Sequence, residues 1–124
     1  MKRLLIVDDD PDLCELLVTL FREPGKVECD FAHSFDQVRA RFSDPTVFDL
    51  AILDLNLGKN LPDGIAVYHW LKEQKFAGRA VFLTGHGRFH PTLKLLQETT
   101  GIDLLEKPAG IDQLKNLIEE TPCR

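Results

Sequence analysis

Four short apolar runs recur along the chain, and each ends on a polar residue: LLIV before Asp8 and Asp9, LAIL before Asp54, AVFL before Thr84, and IDLLE just before Lys107. Continuous apolar runs this short, bounded by turn residues, predict strands covered on both faces. The first spans Arg3 to Val7, the central one Phe48 to Leu55 with a break at Asp49, the fourth Ala80 to Leu83, and a short fifth Ile102 to Leu105. The segment KVECDFA alternates and predicts the second strand. Between these runs the period changes to that of a helix. Asp10 can cap a helix whose first turn accepts Pro11, and Leu13, Leu16, Leu17, Leu20 and Phe21 give it one apolar face until Pro24 and Gly25 end it. Ser34 with Gln37 forms a capping box opening a helix that carries Val38, Ala40 and Phe42. A third helix runs from about Gly64 to Lys75 with Val67, Tyr68 and Leu71 inward, and Gly78 resets the chain. A fourth runs from Pro91 to about Thr99, and a fifth from Ile111 to Glu120 with Leu114, Leu117 and Ile118 inward.

Strands alternating with helices imply right-handed crossovers and a parallel sheet with helices on both faces. The expected fold is α/β: a doubly wound, five-stranded parallel sheet flanked by five helices. The 124 residues, 44% of them hydrophobic, suffice for one core, and residues 1–124 read as a single domain with no linker or repeat. The net charge of −5 argues against a direct nucleic-acid partner. No apolar stretch approaches a membrane span and the opening MKRLLIV runs into acids, unlike a signal peptide, so a cytoplasmic protein without membrane contact is expected. Cys14, Cys29 and Cys123 are odd in number and widely spaced, which indicates packing rather than a disulfide framework or a zinc site. His86 and His90 stand four apart, but Gly87 and Pro91 make that segment a loop and no further zinc ligand lies nearby.

Parallel strands place their carboxyl ends along one edge of the sheet, where open α/β folds hold ligands. Asp8, Asp9, Asp54, Thr84 and Lys107 would meet there. Adjacent carboxylates repel unless a cation intervenes, and oxygen donors of this kind suit Mg2+. Helix capping accounts for Asp10 and leaves Asp54 unexplained. With its charge neutralised, an aspartate at the end of a central strand can attack a phosphoryl group, whose oxygens a lysine ammonium and a threonine hydroxyl then stabilise.

On these residues the chain resembles the receiver domain of two-component response regulators over nearly its whole length. The shared motifs are VDDD with Asp8 and Asp9, Asp54 in ILDLNL, Thr84 in FLTG, and Lys107 with Pro108 in EKP. The resemblance implies that Asp54 accepts a phosphoryl group from a histidine kinase or histidine phosphotransfer protein. It implies Mg2+ bound by Asp9, Asp54 and the backbone carbonyl of Asn56, with Asp8 holding a metal water. Lys107 would pair with the phosphoryl group, its bond to Pro108 would be cis, and Thr84 would move to bond the phosphoryl group. A phosphorelay switch of this kind hydrolyses its own acyl phosphate, turns over no separate substrate, and controls a downstream protein or an output domain not encoded here. The methionine directly before the first strand suggests a natural amino terminus, while the chain is either a single-domain regulator or one domain of a longer protein.

The chain departs from the family pattern in several places. Gly58 stands where a proline is usual, and Gly64 lies ten residues after Asp54 instead of eight, so LGKNLPDG reads as a loop two residues longer than usual. Leu104 occupies the position of the switch aromatic, so that either the switch is less tightly coupled or Phe89 does related work, and Ala109 replaces a usual phenylalanine. A homodimer is a possible assembly, while the changes on the face of the fourth helix and fifth strand speak against the family's usual dimerisation through that face. By the same resemblance, His86 and Asn56 influence how water reaches the acyl phosphate. A pseudo-receiver that docks proteins without phosphorylation is the competing reading. An aspartyl phosphatase of the haloacid-dehalogenase type is disfavoured because Asn56 stands where its second aspartate is needed.

Overall fold

The computed structural model of the protein describes residues 1–55, 64–84, 98, 102–106 and 110–122. Five strands, β1 (Lys2–Val7), β2 (Val27–Ala32), β3 (Leu50–Asp54), β4 (Arg79–Thr84) and β5 (Asp103–Glu106), form one parallel sheet in the order β2-β1-β3-β4-β5. Four helices are described, α1 (Pro11–Phe21), α2 (Phe35–Arg41), α3 (Gly64–Glu73) and α4 (Ile111–Glu120), with a 3-10 turn at Pro45–Val47 that the hydrophobic pattern did not anticipate. The helix expected from Pro91 to Thr99 lies outside the described residues except for Glu98, which is helical. No helix among the described residues is long and apolar enough to cross a membrane.

Side-chain alternation along the strands divides the interior into two layers. Leu4 and Ile6 of β1, Leu50 and Ile52 of β3, and Val81 and Leu83 of β4 pack against Cys14, Leu17 and Phe21 of α1 and Leu114 and Ile118 of α4. Their neighbours Leu5, Val7, Ala51, Leu53, Ala80 and Phe82 face α2 and α3 through Val38, Val67, Tyr68 and Leu71. All five residues of β3 are buried, as expected for the strand at the centre.

The expected break at Asp49 has a structural reason. Its carboxylate, 3% exposed, accepts the Arg3 N–H at 2.8 Å while its own N–H donates to the Arg3 carbonyl at 2.8 Å, closing the β1/β3 ladder at its amino end. Gly78 follows from the same corner: a Cβ there would lie 2.5 Å from the Asp49 carbonyl oxygen. The glycine is needed for close approach and does not itself end α3.

Local signals set most helix boundaries. Asp10 accepts the N–H groups of Asp12 and Leu13 at 3.0 and 3.3 Å, as its capping role requires. Glu23 to Lys26 makes a type II turn, with Gly25 at φ 81 and the Lys26 N–H bonded to the Glu23 carbonyl at 2.8 Å. The capping box of α2 is displaced by one residue: Ser34 Oγ accepts the Gln37 N–H at 3.2 Å, while Gln37 Oε1 accepts the N–H of His33 instead of that of Ser34. At the end of α3 the Phe76 N–H reaches the Leu71 carbonyl (2.9 Å) and the Lys75 N–H the Lys72 carbonyl (3.1 Å), a Schellman motif with Lys75 at φ 71. Lys2 Nζ caps the far end of α4 by donating to the Ile118 carbonyl at 2.5 Å, a role α4 cannot fill because its last turn has no basic residue.

A lysine in the left-handed region carries a steric cost that glycine lacks. Lys75→Gly is therefore expected to stabilise the fold by about 1 kcal/mol in urea titration, and a destabilised variant would contradict the motif. Cys29, half-buried in edge strand β2 between two acids, has its thiol pushed up to about 11, first by burial and then by Glu28 and Asp30. Alkylation of Cys29 at pH 8 should run about 100-fold slower than that of a free thiol and keep rising with pH, because only the thiolate reacts. Peptide-resolved mass spectrometry of iodoacetamide-treated protein measures this, and a rate equal to that of a free thiol would refute it.

Candidate functional site

The site follows from register. Val7 of β1 pairs with Leu53 of β3, so the next residues, Asp8 and Asp54, stand side by side at the carboxyl edge where the chain order reverses between β1 and β3. Asp8 and Asp54 are 1% and 3% exposed and Asp9 is exposed, and one carboxylate oxygen from each lies within 4.8 Å of the others. Among the described residues this is the one group of three or more metal-ligating side chains. Two carboxylates at such a separation repel by on the order of 3 kcal/mol at an effective dielectric near 20, so the arrangement favours a cation between them. The donors are hard oxygens and suit Mg2+, which completes its octahedron with water.

Asp8 is tied down at each of its polar groups. Its N–H donates to the Ala32 carbonyl at 3.1 Å, and its carboxylate accepts the Asp10 N–H at 3.0 Å. Its own carbonyl receives Cys14 Sγ at 3.4 Å and His33 Nδ1 at 3.1 Å, which makes Nδ1 the protonated nitrogen of that ring. Sequence reasoning assigned Cys14 to packing and gave His33 no role. Both act through a backbone carbonyl, a partner that side-chain chemistry does not reveal.

Thr84 is the last residue of β4 and pairs with Glu106, the last of β5, while Asp54 pairs with Leu83. The strand ends that carry Asp8, Asp54 and Thr84 therefore follow one another along a single edge. Lys107 comes directly after Glu106 and lies outside the described residues, as do Asn56, His86, Phe89 and Cys123. Leu104 is described: it sits on β5 opposite Phe82, half-buried against the α2–α3 layer.

Gly64 shows how closely α3 approaches this edge. Its N–H donates to the Leu55 carbonyl at 3.0 Å, and a Cβ would lie 2.4 Å from the Asp54 carbonyl oxygen. A glycine is required where α3 begins, and residues 56–63, the loop that precedes it, lie outside the described residues.

At the opposite edge a cleft of about 570 Å³ has Leu20, Phe21, Val27 and Ile118 along its walls, with Lys2, Arg22, Lys26 and Lys115 around them. Lys2 caps α4, Arg22 pairs with Glu28 at 3.5 Å, and Lys26 pairs with Glu23 at 3.4 Å. Three of these cations thus serve a helix end, the edge of β2 and a turn. The chemistry is concentrated at the other edge.

The family model for the response regulator receiver domain matches residues 4–119. Among solved structures, the receiver domain of NtrX from Brucella abortus superposes with a TM-score of 0.74 at 29% identity, covering 94% of each chain. A longer NtrX structure from the same organism gives 0.77 at 28% identity, with 98% of this chain matched to 27% of that one. A two-component response regulator from Clostridium difficile gives 0.78 at 22% identity, covering 96% and 93%, which speaks to the fold alone. Among curated proteins no match was found.

The backbone atoms that a Gly64 side chain would meet cannot yield as a flexible side chain can. Gly64→Ala should cost about 2 kcal/mol of stability by denaturant titration, and a neutral variant would show that the start of α3 is free to shift.

Proposed function

The chain belongs to the response regulator receiver domain family, and on that premise we propose that it is a phosphorylation-driven switch with Asp54 as the phosphoacceptor. Receiver domains are signalling domains of two-component systems and turn over no separate substrate. The observation that carries the proposal is the convergence of Asp8, Asp9 and Asp54 at the reversal point of the sheet, with oxygens within 4.8 Å.

In the proposed reaction an oxygen of Asp54 forms a bond to phosphorus as the donor's phosphorus–nitrogen bond breaks, and the departing histidine nitrogen takes up a proton. The donor is a histidine kinase or a histidine phosphotransfer protein. Asp9, Asp54 and the Asn56 carbonyl would hold Mg2+, and Asp8 would hold one of its waters. When bound, the ion neutralises the carboxylates and the incoming phosphoryl oxygens. Asp8 suits a fixed role because its N–H, carbonyl and carboxylate are all engaged, so it need not reorganise as charge arrives. The Thr84 hydroxyl and the Lys107 ammonium donate to the phosphoryl oxygens. Water later cleaves the acyl phosphate to inorganic phosphate and restores the Asp54 carboxylate.

The new phosphoryl contacts bias one of two conformations, which controls a downstream protein or an output domain. Placement of Asp54 on β3, buried on both faces, supports this: a change at its end meets close packing on either side. Leu104, an aliphatic residue facing the α2–α3 layer, favours the alternative that the domain docks partners without phosphorylation.

Intact mass after incubation with Mg2+ and acetyl phosphate separates the two readings. The wild type should gain one phosphoryl group, with no gain in Asp54→Asn or in the presence of EDTA. A folded wild-type protein that stays unmodified would leave the docking module as the function.

A further inference from the structure

We infer that Tyr68 is a positioning residue that couples the phosphoacceptor edge to α3, so that the switch is read out on the α2–α3 side of the sheet. The inference rests on the phosphoacceptor role proposed for Asp54. It begins from the start of α3. Gly64 abuts the backbone of Asp54 with no room for a methyl group, and its N–H is bonded to the Leu55 carbonyl. A displacement at the end of β3 is therefore passed to α3 as steric contact.

Tyr68, the chain's one tyrosine, lies one helical turn beyond Gly64 and is 4% exposed. Its ring meets the ring of Phe82 edge-on, with centroids 5.8 Å apart and planes at 64°. Phe82 is two residues before Thr84 on β4 and pairs with Leu104 on β5. On its β5 side Phe82 faces an adaptable aliphatic side chain, while on its α3 side it faces a rigid ring. Close-packed rings with fixed mutual geometry transmit a shift that a branched aliphatic chain can absorb by changing rotamer. α3 thus touches the strand that ends in the proposed phosphoacceptor, β3, through Gly64, and the strand that ends in Thr84, β4, through Tyr68.

The far side of the same helix carries a natural reporter. Trp70, the chain's one tryptophan, is half-buried and meets Phe35 of α2 edge-on at 6.2 Å. The Arg39 guanidinium lies 4.7 Å from the Phe35 ring centroid. A movement of α3 against α2 changes the surroundings of that indole.

Contact makes such coupling feasible, and only a response to phosphorylation establishes it. Tryptophan emission should be recorded on the intact protein with Mg2+ and acetyl phosphate, with the phosphorylated fraction measured by mass in the same samples. The wild type should show an emission change that tracks the phosphorylated fraction, and Tyr68→Phe should keep it. Tyr68→Leu should become phosphorylated to the same extent and lose the change. Phe82→Leu removes the same ring contact from the strand side and carries the test if Tyr68→Leu does not fold. A phosphorylated wild type with constant emission, or a phosphorylated Tyr68→Leu or Phe82→Leu variant with the full change, overturns the inference. Absence of any mass gain in the wild type refutes the phosphoacceptor role and this inference with it.

Discussion

The register between β1 and β3 is the constraint on which the rest of the structure depends. Pairing Val7 with Leu53 sets Asp8 beside Asp54 and draws Asp9 into the same cluster. A slip of one residue would turn each buried side chain to the opposite face of the sheet and separate the acids at the same time. The two apolar layers oppose that slip. Leu4, Ile6, Leu50 and Ile52 are committed to the α1–α4 side, and Leu5, Val7, Ala51 and Leu53 to the α2–α3 side. The hydrophobic pattern that folds the sheet is also what assembles the charge cluster.

Bringing like charges together works against stability, and the surroundings of the cluster show how it is held. Asp8 is bonded through its N–H, its carbonyl and its carboxylate, with Cys14 and His33 meeting at one backbone oxygen. The backbone of α3 closes on the other side at Gly64. At the distant edge Asp49 bonds the Arg3 backbone, Lys2 bonds the end of α4, and Arg79 joins β4 to Asp103 at 2.6 Å and to Glu120 at 3.4 Å. Opposite charges are paired at the distant edge, while like charges are held together by hydrogen bonds at the site. Such a division suits a site whose charge is meant to change while the frame holds.

Much of this was legible in the sequence, for reasons that can be named. Central strands buried on both faces appear as unbroken apolar runs, so β1, β3 and β4 could be read to within two residues, and Asp54 and Thr84 stood out as the polar residues that end them. The Asp10 cap and the Pro24–Gly25 turn are local chemistry and were equally visible. What escaped is what depends on tertiary contact. Gly78 read only as a reset of the chain after the helix, whereas Lys75 takes the left-handed position and Gly78 makes room for the Asp49 carbonyl. The Pro45–Val47 turn is three residues long and leaves no periodicity, although Asp44 before Pro45 was a usable cap signal. His33 and Cys14 escaped because their target is a main-chain carbonyl from another segment.

If repulsion among Asp8, Asp9 and Asp54 is the central feature, the most direct measurement is thermal unfolding of the wild type and Asp9→Asn, each in EDTA and in Mg2+. Asp9 is the exposed member of the cluster, so its replacement disturbs packing least. In EDTA the variant should melt a few degrees above the wild type, on the order of 4 °C for about 1 kcal/mol in a domain of this size. Mg2+ should raise the melting temperature of the wild type and have little effect on the variant. A variant less stable than the wild type in EDTA, together with a wild type indifferent to Mg2+, would contradict the account.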